Sequence, residues 1–76
     1  MAVFEIEHGD ETRHVRLRKA DARHVERLAE ASRAGTGLPL ADATAQRMAE
    51  VGVPLVRCRH GWQISDGVTI RQIIHA

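Results

Sequence analysis

The apolar residues of this chain change their spacing twice, and that change limits the folds open to it. Phe4, Ile6, Val15 and Leu17 alternate with polar neighbours. From Ala22 to Val51 the apolar positions recur every three or four residues, and from Val56 to Ile70 they alternate again. A period of two belongs to a half-buried strand and a period near 3.6 to an amphipathic helix. The order is therefore ββααβββ. A chain of 76 residues has room for one domain, 1–76, and for one core. The pattern predicts a two-layer α+β fold: an antiparallel sheet covered on one face by two helices.

The first two runs flank "HGDET", a Gly-Asp turn signal, and read as a hairpin. Pairing Ile6 with Val15 and Phe4 with Leu17 gathers the apolar side chains on one face. It also sets Glu5 opposite Arg16 and Glu7 opposite His14, each pair contributing about 0.2–1 kcal/mol, so Arg16 is spent locally. Asp21 suits an N-cap. Ala22, Val25, Leu28, Ala29 and Ser32 form the inner arc of the first helix. Arg23, Glu26, Arg27 and Glu30 form a mixed-charge outer one. Gly35 stands where a C′ glycine belongs. A second helix follows from about Pro39 to Val51. Its inner stripe is Leu40, Thr44, Met48 and Val51, its outer face shows Asp42, Gln46 and Glu50, and Gly52 closes it.

The stretch "VRCRHGWQISDG" holds the only cysteine and the only tryptophan. A two-residue His60-Gly61 turn would mix apolar and polar side chains on each face. A three-residue loop, Arg59-His60-Gly61, instead sets Cys58 opposite Trp62 and Val56 opposite Ile64. A Ser65-Asp66-Gly67 loop likewise sets Ile64 opposite Val68 and Trp62 opposite Ile70. Residues 54–72 are then expected to form a three-stranded meander, with Gly61 and Gly67 at positive φ and with Cys58 and Trp62 buried. A buried cysteine acts as a small hydrophobe. Nothing assigns a base to it, so no catalytic residue is expected. One Cys and five His at scattered spacings make no metal site. No cofactor motif is present.

The outer face of that meander then carries Arg57, Gln63 and Arg71, with Arg59 and His60 at the loop. Residues 53–76 oppose these arginines with Asp66 alone, although the net charge of the whole chain is only +1. Such a face is either solvated or a docking surface for an acidic protein or nucleoprotein partner. Nucleic-acid binding of winged-helix type is the alternative, with "VRCRHGWQI" as wing. The second helix, showing Asp42 and Glu50, is a poor reader of bases. Phe4 and Trp62 are the only aromatics, too few for base stacking. An enzyme ranks last.

The N-terminal "MAVFEIEHGDE" has no signal-peptide character, and no apolar run is long enough to cross a membrane. With one free cysteine, the expected location is the cytoplasm. A chain this short buries only roughly 60% of its unfolded surface, so self-association is a common remedy. Ile73, out of phase with the inner face, suggests a homodimer through a sheet edge. In size and element order the chain resembles small phage-encoded anti-CRISPR proteins. That resemblance spans the chain as architecture, without a shared motif. It implies a non-enzymatic inhibitor or adaptor that acts by occupying a partner's surface.

Overall fold

The computed structural model describes residues 1–75. Its order is β1 (Ala2–His8), β2 (Glu11–Leu17), α1 (Lys19–Arg33), α2 (Asp42–Glu50), β3 (Leu55–Cys58), β4 (Gly61–Ile64) and β5 (Val68–Ile74). The ββααβββ order of a small α+β fold is present. The strands divide between two antiparallel sheets: a main sheet in the order β2-β1-β5 and a separate β3–β4 hairpin.

The expected meander is therefore not formed. β5 pairs with β1, Glu5 opposite Arg71 and Ile6 opposite Ile70, instead of with β4. The physical reason lies at β4's second edge, which is already satisfied. Leu38 and Trp62 exchange both backbone hydrogen bonds at 2.9 Å, and the Ile64 N–H donates to Ser32 Oγ at 3.1 Å. β1, in contrast, offers a seven-residue edge that the seven residues of β5 can cover.

β1 and β2 turn at Gly9-Asp10, with Gly9 at φ 62°, the first-position glycine that a tight hairpin needs. Phe4 faces Val15 and Glu5 faces His14. The register is displaced by two residues from the one expected, and a two-residue slip leaves each side chain on its own face. Arg16 consequently faces Val3 instead of Glu5.

Of the predicted stripe α1 buries Ala22, Val25 and Leu28, the last two fully enclosed, while Ala29 and Ser32 are half-buried. Its N-cap is Arg18, not Asp21. Asp21 lies in the first turn, buried, with its carboxylate 3.1 Å from Arg47 Nη2 of α2 and 3.6 Å from Arg18 Nε. An anion near a helix N-terminus is favoured by the helix dipole. This one also ties the two helices together. α2 begins at Asp42 instead of Pro39, because Leu38 is held extended against β4. Ala45 and Met48 form its buried face; Thr44 and Val51 are half-buried. Gly35 and Gly52 follow the helices at φ 73° and 95°, as C′ glycines. Phe4, Ile6, Leu17, Val25, Leu28, Met48, Val53 and Ile64 belong to one continuous core.

Candidate functional site

The β3–β4 hairpin is short and is built on its turn. Cys58 pairs with Gly61, Arg57 with Trp62, Val56 with Gln63 and Leu55 with Ile64. Arg59 and His60 alone make the turn. This is neither the expected three-residue loop nor the rejected His60-Gly61 turn. Gly61 does take a positive φ, 135°, and Gly67 takes 77°. At Gly61 the backbone of Leu38 lies so close that a Cβ would run into its carbonyl. Gly37 is similarly crowded by Cys58 Sγ and the His60-Gly61 backbone. Two glycines thus let the interhelix segment lie directly on the hairpin.

The register decides which side chains share a face, and it corrects the expected assignment. Arg57 and Trp62 are directly opposite, so they lie together on the face toward α2. The Arg57 guanidinium carbon sits 5.3 Å from the centroid of the Trp62 ring. That is cation–π distance. Trp62 is half-buried instead of enclosed, and Cys58 is half-buried as well. Beside them opens a mostly apolar groove of about 250 Å³, walled by Ala45, Gln46 and Ala49 of α2 and by Leu55 and Trp62 of the hairpin. Asp42 stands at its rim, 3.9 Å from Arg57, with both side chains largely exposed. A pair this open contributes about 0–1 kcal/mol and is easily exchanged for another acid.

Of the five residues read from the sequence as a docking face, the structure keeps four on the hairpin. Arg57 lies on the Trp62 face. Gln63 points to the opposite face, paired with Val56. Arg59 and His60 are exposed at the tip, and among the described residues neither forms an ion pair or side-chain hydrogen bond. The fifth, Arg71, belongs to the main sheet. Its guanidinium donates to Glu5 Oε1 at 3.3 Å, so it has the acidic neighbour that the expected register denied it. Glu5 is flanked on its other side by His14 Nε2 at 3.4 Å. These neighbours, His14 foremost, hold the Glu5 carboxyl below its ordinary value of 4.5.

Trp62 is the site residue that sequence reasoning missed. A two-residue Arg59-His60 turn sets Trp62 opposite Arg57, and the alternation of apolar residues does not mark that turn. Among the described residues no group of three or more His, Cys, Asp or Glu side chains could hold a metal ion. Among the described residues no helix is long and apolar enough to cross a membrane. Comparison with protein-family models, with curated proteins and with solved structures returned no match.

Proposed function

We propose that this chain is a small non-enzymatic binding module, an inhibitor or adaptor that docks its β3–β4 hairpin on an acidic surface of a protein or nucleoprotein partner. The observation that carries this reading is the concentration on one hairpin of Arg57, Arg59, His60 and a half-exposed Trp62. Arg59 and His60 have no acid to satisfy them among the described residues. Among the described residues the one acid paired with Arg57 is Asp42, held loosely. An arginine beside an aromatic at the edge of an apolar groove is the composition of an interface anchor. Guanidinium groups suit carboxylates, which they bind bidentately. The resemblance in size and element order to small anti-CRISPR inhibitors fits the same role. Arg71, paired with Glu5 on the main sheet and apart from the hairpin, has no part in it.

The test uses poly-L-glutamate and random duplex DNA as probes. The full chain is expected to bind poly-L-glutamate. Arg57→Ala/Arg59→Ala, folded by circular dichroism, is expected to lose that binding, while Arg71→Ala keeps it. Equal binding by the double variant would overturn the reading. Tighter binding to duplex DNA, with a steep salt dependence, would replace it by a nucleic-acid one.

A further inference from the structure

The main sheet ends in an edge that no described strand covers. β5 is its outermost strand on one side. The pleat decides which backbone groups lie on that edge. A two-residue turn makes His8 and Glu11 a hydrogen-bonded pair. Phe4 and Ile6 therefore bond toward β2, while Glu5 and Glu7 bond toward β5. Their β5 partners are Arg71 and Thr69. It follows that Ile70 and Gln72 turn their N–H and C=O groups outward. Past Gln72 the ladder is irregular, since Val3 pairs with Ile74 and skips Ile73. The straight part of the edge is thus 68–72.

The geometry points to a second copy of this chain as the occupant of that edge, its β5 laid antiparallel about a two-fold axis at Ile70. Five axes bring the outward groups of 68–72 together. An axis at Val68 or Thr69 relies on Val68 for its central pairs, although the Val68 N–H is already held by Ser65, and draws the Asp66-Gly67 turn into the ladder. An axis at Arg71 sets Arg71 against itself, and like charges directly opposite are destabilising. An axis at Gln72 draws the irregular 73–74 segment into the ladder. An axis at Ile70 uses straight strand only. It sets Ile70 against Ile70, Thr69 against Arg71 and Val68 against Gln72. The Val68 N–H is already held by Ser65, so its carbonyl serves that last pair.

Two further observations fit this arrangement. Beside the edge runs a groove of about 170 Å³ between β5 and α1, with Phe4, Val25, Ala29 and Ile70 at its apolar part and Glu26, Arg33 and Gln72 at its polar part, which can take the inward side chains of an added strand. At the end of the pairing Ile73, 38% exposed, comes opposite Gly67 of the second copy. Nothing lies within 4 Å of where a Cβ on Gly67 would be, so there is room for it. Arg71 does not guard the edge, because its guanidinium is engaged by Glu5 on the outer face.

Sedimentation equilibrium of the full chain should show a reversible monomer–dimer equilibrium at micromolar concentration. Thr69→Arg, at an exposed position, should stay folded and associate several-fold more weakly, because each introduced guanidinium would oppose an Arg71. Register is read by oxidative cross-linking in a Cys58→Ser background. Thr69→Cys/Arg71→Cys should give covalent dimers, and Arg71→Cys alone should not. A chain that remains monomeric, a Thr69→Arg variant that dimerises as well as the parent, or efficient cross-linking through Arg71→Cys alone would each overturn the proposal.

Discussion

Replacing Arg47 with alanine tests how the two helices are held together. The Asp21 carboxylate is buried, with Arg47 at 3.1 Å and Arg18 at 3.6 Å. Breaking a fully buried ion pair by removing one partner costs about 3–5 kcal/mol, since the other charge is left without compensation. Here the cost is smaller for two reasons. The Arg47 side chain is 43% exposed, so part of its attraction is screened, and Arg18 stays beside the carboxylate. The figure for leaving a buried polar group poorly satisfied, about 1–3 kcal/mol, is the appropriate scale. For a domain of this size each kcal/mol moves the melting midpoint by about 4–8 °C, so a central value near ~2 kcal/mol lowers it by about 8–16 °C. Thermal melting followed by circular dichroism reads this directly. A control separates lost charge from lost packing. Asp21→Ala/Arg47→Ala leaves no charge buried and should be more stable than Arg47→Ala alone. A change below about 0.5 kcal/mol in Arg47→Ala, the ordinary surface range, would refute the reasoning. A double variant less stable than the single one would refute it as well.

Gly61→Ala should destabilise more than Gly67→Ala in chemical denaturation. Both glycines take positive φ, where an L-residue is strained by roughly 1–2 kcal/mol, but only at Gly61 does a Cβ also meet backbone, that of Leu38. The Glu5 carboxyl is depressed in the folded chain, so its contribution is present above the ordinary value of 4.5 and is lost as pH falls through the lower folded value. The pH dependence of stability in Glu5→Gln should accordingly be flatter than that of the parent between 4.5 and that lower folded value, and identical slopes would count against the His14–Glu5–Arg71 bridge.

What the sequence made legible was local. Spacing located the helices and strands, and glycines marked where chain direction changes. The face assignment of β1 and β2 also survived, because a shift of two residues is invisible to a period-two pattern. What stayed hidden was partner choice. Alternation in 68–74 marks a strand without saying whether β4 or β1 is beside it. The deciding interactions, Leu38 with Trp62 and Ser32 with Ile64, come from residues that carry no strand pattern of their own. The candidate site suffered from the same gap. A shift of one residue at the Arg59-His60 turn brings Arg57 to the face of Trp62 and Ile64 and turns Val56 and Cys58 to the other. Moving β5 to another sheet separates Arg71 from the other cations.

The pairing of β1 with β5 also bears on how the chain reaches this state. Val3 meets Ile74 and Glu5 meets Arg71, so the central strand of the main sheet waits for a partner from the far end of the chain. The β1–β2 hairpin and the α1–Leu38–β4 unit need only shorter loops to close. Contacts of high sequence separation slow folding, because loop entropy is lost before the contact forms. On a ribosome the main sheet would remain a two-stranded ribbon until residues 68–74 had emerged, its β1 edge unpaired. An isolated two-stranded ribbon is marginal in water. Docking of β5 is therefore expected as the late, rate-limiting event, with β1–β5 amides gaining protection from hydrogen exchange after those of the helices.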